Sequence, residues 1–112
     1  MMTWKIYREA LSLKLSEIEL DGDLHYDAAQ AALCLVDPES GEEEVLTVSL
    51  LSDGYVALPG EVFVRDYSEH SGLPTALVTA GVCELVEELS VGPFGSWVQR
   101  MRVLEAPSAH RS

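Results

Sequence analysis

Carboxylates are the most abundant chemically active side chains in this sequence of 112 residues, which has 19 acidic residues, seven Lys and Arg, and a formal net charge of −12. The charge is unevenly placed, because no Lys or Arg occurs between Lys14 and Arg65. That block holds Glu17, Glu19, Asp21, Asp23, Asp27, Asp37, Glu39, Glu42, Glu43, Glu44, Asp53 and Glu61. Carboxylates at this density attract cationic groups, so the chemistry they indicate is electrostatic binding.

Nine carboxylates of this block are the predicted partner-binding residues. They are Glu17, Glu19, Asp21, Asp23, Asp37, Glu39, Glu42, Glu43 and Glu44. Alternate residues of a strand, such as Glu17 and Glu19, lie roughly 6.5–7 Å apart, which is close to the phosphate spacing along a nucleic-acid strand. The block therefore predicts a surface that a basic, nucleic-acid-binding protein would bind. The alternative is that the charge only keeps the protein soluble.

Metal ligands and nucleophiles do not form a recognisable motif. The imidazoles and thiols belong to His25, His70, His110, Cys34 and Cys83, with no Cys-x-x-Cys pair, His-Glu-x-x-His motif or Gly-x-Ser-x-Gly elbow. Both cysteines lie in apolar runs, which is typical of reduced core residues rather than reactive thiols. We therefore predict no metal, no other cofactor and no catalytic residue.

A short polar segment offers the only weak hydrolase candidate. Asp66, Glu69 and His70 would have to converge in a pocket to act together, and Ser68 has no orienting carboxylate placed by the sequence. We expect this trio instead to cap the helix that follows, since carboxylates favour the positive end of a helix. The prediction is therefore a non-enzymatic protein.

Hydrophobic periodicity predicts an α+β domain, with an antiparallel sheet of four to six strands and one short helix packed on it. Alternating Leu11, Leu13 and Leu15 indicate a first strand, with a bulge or bend near residues 16–17 where the apolar phase changes. Tight turns are predicted at residues 21–23, 37–41 and 58–60. Further strands are predicted at 28–36, 44–51 and 61–65.

The second half of the chain holds the predicted helix, over residues 71–80, with Pro74 in its first turn and Gly81 at its end. Residues 82–91 fit helical and strand spacing, and Gly81 before them favours a strand. A closing strand is predicted at 97–104. Residues 1–105 form a single domain in this prediction, and residues 106–112 a flexible tail.

The composition excludes several classes of protein. A sequence pI of about 4.4 disfavours direct binding to nucleic acid or to an anionic membrane. No apolar run approaches the roughly 20 residues of a membrane span, and no secretory signal is evident. We therefore expect a cytoplasmic protein that binds another protein, with homodimerisation through an exposed sheet edge as a further possibility.

The central stretch resembles a family of small uncharacterised proteins of bacterial conjugative elements and phages. The resemblance begins with Ser40-Gly41-Glu42 and residues 45–50. It continues through residues 58–69, with the sequence Leu-Pro-Gly-Glu-Val-Phe-Val-Arg-Asp-Tyr-Ser-Glu. It ends with three short segments, Gly72-Leu73, Ala76-Leu77 and Ala80-Gly81-Val82. It implies a mobile-element context, in which small acidic proteins are often inhibitors of host defence. The sharpest expectation is an anti-CRISPR-type inhibitor that occupies a basic nucleic-acid-binding surface.

An alternative function uses apolar rather than charged surface. Aromatic residues lie in or beside predicted turns at Tyr55, Phe63, Tyr67, Phe94 and Trp97. If some of them are exposed, they could anchor an interface, and the protein would then be an accessory or regulatory protein of a conjugative element. This alternative predicts binding that does not depend on salt.

Overall fold

The computed structural model describes residues 5–104, apart from the side chains of Ser52 and Ser68, and these residues form seven strands, one α-helix and two 3-10 helices. The strands are β1 (Lys5–Lys14), β2 (Glu19–Asp27), β3 (Ala32–Val36), β4 (Glu43–Val45), β5 (Glu61–Arg65), β6 (Cys83–Val91) and β7 (Ser96–Val103). The helix α1 spans Leu73–Thr79, and the 3-10 helices span Leu51–Asp53 and Ser68–His70. The predictions for residues 106–112 lie outside the described residues.

The strands form two antiparallel sheets, which confirms the α+β class. The first sheet has the order β1-β2-β3-β4 and the second has the order β5-β7-β6. The prediction of one sheet with four to six strands differs from this arrangement. The division arises because β4 is only three residues long. Beyond β4, Thr47 forms an isolated bridge with Val64 of β5, which belongs to the second sheet. The predicted strand at 44–51 is therefore shared between the edges of two sheets.

The main core lies between the first sheet, one face of the second sheet and α1. Leu24 and Leu33 come from the first sheet, Val62 and Met101 from the second, and Leu77 from the helix, and all five are fully buried. Alternation along β5 turns Phe63 to the opposite face, where a second cluster contains Leu50, Phe63 and Val98. Side chains on both faces of β5 are thus buried.

The first hairpin differs in part from its prediction. The bulge or bend predicted near residues 16–17 is a bend, at which the chain reverses from β1 to β2, with the Leu15 amide donating to the Ile18 carbonyl at 2.9 Å. Residues 21–23 are not a turn but continue β2. Gly22 is needed there because a Cβ at that position would lie 2.6 Å from the Val36 carbonyl oxygen. The glycine therefore serves close strand packing instead of a turn.

Other elements follow the sequence more closely. The turns at 37–41 and 58–60 are present, β5 has the predicted bounds, and residues 83–91 form a strand. The predicted strand at 28–36 is shortened, because residues 28–31 form a turn before β3. Cys34 and Cys83 are buried free cysteines, as predicted. No helix within residues 5–104 has the length and apolar character needed to cross a bilayer.

Candidate acidic interface

Strand β2 carries a row of carboxylates on one face. Glu19, Asp21 and Asp23 alternate with Leu20, Gly22 and Leu24, so the acidic side chains point away from the main core. The Ser12 hydroxyl donates to Asp21 at 2.6 Å and lies 3.1 Å from Glu19 Oε2. These hydrogen bonds, together with one from the Ala10 amide to Asp23, fix the row in place. The strand spacing predicted for Glu17 and Glu19 thus applies to this row instead, because Glu17 lies in the turn before β2.

The turn between β3 and β4 supplies a second group of acidic residues. Asp37 closes this turn through its backbone, which hydrogen-bonds Gly41 at 2.7 Å and Glu42 at 2.8 Å. Its carboxylate also accepts a hydrogen bond from the Glu39 amide at 2.9 Å. That hydrogen bond lowers the pKa of the Asp37 carboxyl, with a further contribution from Ser40. Asp37 therefore stays ionised while Glu39 and Glu42 remain exposed around it.

The two groups meet at an open cleft of about 430 Å³. Its lining residues are Leu20, Asp21, Leu35, Asp37, Glu42, Glu43 and Glu44. They come together because β3 lies between β2 and β4, so the β3–β4 turn is held beside the start of β2. Hereafter the acidic cleft means Asp21, Asp37, Glu42, Glu43 and Glu44. These are five of the nine predicted contact residues.

The charges of the acidic cleft have little internal compensation. Among the described residues, Glu44 is the only one of the nine predicted carboxylates within 4.0 Å of a basic side chain, and its partner is His70. The arginines of β7 form ion pairs elsewhere: Arg100 pairs with Glu61 and Glu87, and Arg102 pairs with Glu84. The arginine–carboxylate pairs thus lie in the second sheet, whereas the acidic cleft lies at an edge of the first.

The acidic block as a whole does not lie on one face. Glu17 and Glu19 line a separate groove that also contains Lys14. Asp27 is fully buried, with its carboxylate accepting hydrogen bonds from the amides of Ala29 and Gln30. Glu61 is only 5% exposed and pairs with Arg100 in the second sheet. The candidate interface is therefore smaller than the sequence block.

Glu44 differs from the other carboxylates of the acidic cleft. It pairs with Leu35 in the β3–β4 register, which turns it toward the inner face, whereas its neighbour Glu43 pairs with Val36. There Glu44 Oε2 lies 2.6 Å from Nε2 of His70, which is 4% exposed. Sequence reasoning missed this contact because 26 residues separate the partners and no local pattern joins them.

The Asp66, Glu69 and His70 trio is divided in the structure. Asp66 accepts hydrogen bonds of 2.9 Å from the Gly72 amide, at the start of α1, and from Gln99 Nε2. Asp66 thus holds Gly72, the residue before α1, but the helix has no side-chain cap hydrogen bond, so the predicted capping role is not confirmed. Glu69 and His70 instead approach Glu44, with the three ligand atoms within 4.8 Å of one another. The capping prediction is wrong for these two residues, and the trio does not converge as the hydrolase alternative requires.

The two thiols lack the surroundings of reactive cysteines. Burial raises the pKa of Cys83 to about 12. Burial also raises the pKa of Cys34, and the nearby carboxylate of Glu43 adds to the effect. A thiolate is the nucleophilic form of cysteine, so both side chains remain protonated and weakly nucleophilic at neutral pH.

A separate apolar surface lies on the second sheet. Phe94 is 93% exposed in the β6–β7 turn, Trp97 is 49% exposed, and Leu85 is 55% exposed. Of the other aromatics named above, Phe63 is buried, and Tyr55 and Tyr67 are half-buried against the second cluster. The candidate apolar interface is therefore limited to the β6–β7 hairpin.

Comparison with known proteins gives no assignment: no protein-family model, curated protein or solved structure matches this chain. The resemblance to proteins of conjugative elements and phages therefore stays a prediction.

Proposed function

We propose that this protein acts by binding, through the acidic cleft, to a basic nucleic-acid-binding surface of a partner protein. The observation that carries the proposal is the gathering of five carboxylates around one cleft, of which only Glu44 has a basic partner within the described residues. Like charges held together repel one another, and a partner's Lys and Arg side chains would relieve that repulsion.

The row on β2 supports a nucleic-acid-like surface. Glu19, Asp21 and Asp23 alternate along one strand at roughly 6.5–7 Å per step, and hydrogen bonds to Ser12 and Ala10 hold them. A basic groove that binds successive phosphates would meet negative charge at a similar spacing. The same charge disfavours direct contact with nucleic acid or an anionic membrane.

The sharpest form of the proposal is an anti-CRISPR-type inhibitor from a phage or other mobile element, acting without catalysis in the cytoplasm. The context comes from the sequence resemblance, and the mode of action comes from the acidic cleft. Such an inhibitor would exclude nucleic acid from a host defence complex by occupying its binding groove.

A capture experiment with matched variants tests the proposal. The immobilised protein is exposed to bacterial host lysate at low and at high salt, and retained proteins are identified by mass spectrometry. The cleft variant carries Asp21→Asn, Glu42→Gln and Glu43→Gln, which leaves Asp37 and Glu44 to hold their own hydrogen bonds. The control variant carries Glu9→Gln, Asp53→Asn and Glu88→Gln, exposed residues outside the acidic cleft with the same total charge.

We expect the native protein and the control variant to retain a nucleic-acid-binding protein that high salt or added DNA or RNA releases. The cleft variant should lose it, because the contact is electrostatic. Retention by the cleft variant at the native level, or retention that nucleic acid does not compete, would contradict the proposal.

The β6–β7 hairpin supports a second candidate, an accessory or regulatory protein of a conjugative element that binds through apolar surface. The exposure of Phe94 and Trp97 favours it, since exposed aromatics that become buried when a partner binds often anchor interfaces. In the same capture experiment this function predicts retention that survives high salt and is lost with Phe94→Ala and Trp97→Ala together.

A further inference from the structure

We propose that Glu44, Glu69 and His70 form a binding site for a divalent transition-metal ion of the Zn²⁺ type. The proposal is independent of any protein partner. It concerns three side chains that the fold brings together from β4 and from the 3-10 helix that follows β5. The sequence shows no metal-binding motif, so the site depends on tertiary structure.

The geometry suits a small cation. The three ligand atoms lie within 4.8 Å of one another, and His70 Nε2 is 2.6 Å from Glu44 Oε2. Ligands about 2.0–2.2 Å from a tetrahedral Zn²⁺ lie about 3.4 Å from each other, so the side chains need only small rotations. The ion would replace the Glu44–His70 hydrogen bond.

Burial gives the site a fixed side and an open side. The side chain of His70 is 5% exposed, so its imidazole is held in place, whereas the Glu44 side chain is 40% exposed. Glu69 is also exposed. An ion can therefore enter from solvent, and water can complete its coordination.

The donor set selects the class of metal. One imidazole nitrogen with two carboxylates matches ions that accept mixed nitrogen and oxygen ligands, whereas Mg²⁺ and Ca²⁺ prefer oxygen ligands alone. The nearby carboxylates of the acidic cleft add attraction for any cation, because Glu44 belongs to both groups. The imidazole supplies the preference that a merely acidic surface lacks.

A bound ion would connect the two sheets. Glu44 belongs to the edge strand of the first sheet, and Glu69 and His70 follow β5 of the second. Coordination would thus add a link beside the isolated Thr47–Val64 bridge. A ligand that binds only the folded chain raises its stability, so the ion should raise the melting temperature.

The test is titration of the untagged full chain, stripped with EDTA, with ZnCl₂ and separately with MgCl₂ and CaCl₂ by isothermal calorimetry. We expect one Zn²⁺ per chain, weaker binding of Mg²⁺ and Ca²⁺, and a rise of Tm with added Zn²⁺. Glu69→Gln should weaken Zn²⁺ binding at least about tenfold, a loss comparable with that of other metal-site substitutions. Since Glu69 is exposed, the metal-free variant should keep the native Tm.

Glu42→Gln is the matched control, because it removes the same charge from the acidic cleft without touching the three ligands. Its Zn²⁺ affinity should stay within about a factor of two of the native protein's. His70→Gln should behave as Glu69→Gln does if it folds. Absence of stoichiometric Zn²⁺ binding, equal affinity for Mg²⁺, or equal losses in Glu42→Gln and Glu69→Gln would overturn the proposal.

Discussion

At the residue scale, Arg100 organises the outer face of the second sheet. Its guanidinium donates to Glu61, Glu87 and the Val56 carbonyl, each at 2.8 Å, and lies 4.9 Å from the Phe63 ring centre. The contact with Val56 connects the loop before β5 to the sheet. Burial alone would raise the pKa of Glu61, but hydrogen bonds from Arg100 and the Leu58 amide outweigh it and lower the pKa.

The lowered pKa of Glu61 predicts a pH-dependent contribution to stability. A carboxyl that ionises more readily in the folded state stabilises that state above its unfolded pKa of about 4.3. The contribution is lost as pH falls through the lower, folded pKa. We expect Glu61→Gln to reduce the free energy of unfolding by about 1–3 kcal/mol at pH 7, with a smaller difference below about pH 4. Urea unfolding at several pH values measures this.

Glu84→Gln is the control for that experiment. Glu84 pairs with Arg102 on the same sheet, but the two side chains are 50% and 53% exposed. Solvent screens such pairs, so the cost should be about 0–1 kcal/mol. Equal losses in the two variants would show that burial of the Glu61–Arg100 pair adds nothing.

At the element scale, the start of α1 joins both halves of the molecule. Gly72 has φ +91 and donates its amide to Asp66, while Ser16, in the β1–β2 turn, donates its amide to the Ser71 carbonyl. A Cβ on Gly72 would lie 2.8 Å from Ser16 Oγ and 3.0 Å from Ser16 N. The glycine thus meets two requirements, a left-handed backbone and close contact with the first sheet.

Gly72→Ala should therefore destabilise the fold by more than backbone strain alone. The left-handed conformation costs Ala roughly 1–2 kcal/mol, and the contact with Ser16 should add about 1–3 kcal/mol. Gly81→Ala is the control, since Gly81 has φ +77 but nothing within 4 Å of an added Cβ. Chemical unfolding of both variants compares them; equal losses would mean that the first sheet moves aside without cost.

At the scale of the whole molecule, charge is separated between the sheets. The second sheet pairs Glu61, Glu84 and Glu87 with two arginines, whereas among the described residues only Glu44 of the acidic cleft has a basic partner, His70. Such an arrangement costs stability in the free protein, which is a common property of binding sites. The cost should be measurable without knowledge of a partner.

Salt should therefore stabilise this protein. Raising NaCl from about 0.02 M to about 0.3 M shortens the screening length from roughly 20 Å to roughly 6 Å and should raise the free energy of unfolding. The variant with Asp21→Asn, Glu42→Gln and Glu43→Gln should be more stable at low salt, by a few tenths to about 1 kcal/mol, and should respond less to salt. The variant with Glu9→Gln, Asp53→Asn and Glu88→Gln should keep more of the native response. Identical responses in all three proteins would show that the cleft carboxylates do not repel one another significantly.

Local pattern was sufficient for much of the fold. Alternation and turn residues predicted β5, a strand at 82–91 that the structure places at Cys83–Val91, and the turns at 37–41 and 58–60, because each depends on neighbours in sequence. Pattern failed at residues 21–23, where Asp-Gly-Asp is typical of a turn. Gly22 is required there because the Val36 carbonyl of the neighbouring strand leaves no room for a Cβ. A pattern of neighbouring residues cannot reveal that contact.

The sequence by itself determined the amount of charge, its confinement to the stretch between Lys14 and Arg65, and the buried state of both cysteines. Only the tertiary structure decided which carboxylates lie together. Strand pairing is long-range, so it alone could gather Asp21 with Glu42 and Glu43, bury Asp27 and Glu61, and turn Glu44 inward to His70. Net charge is a sum over residues, whereas a site depends on the distances between them, and those distances are set by the fold.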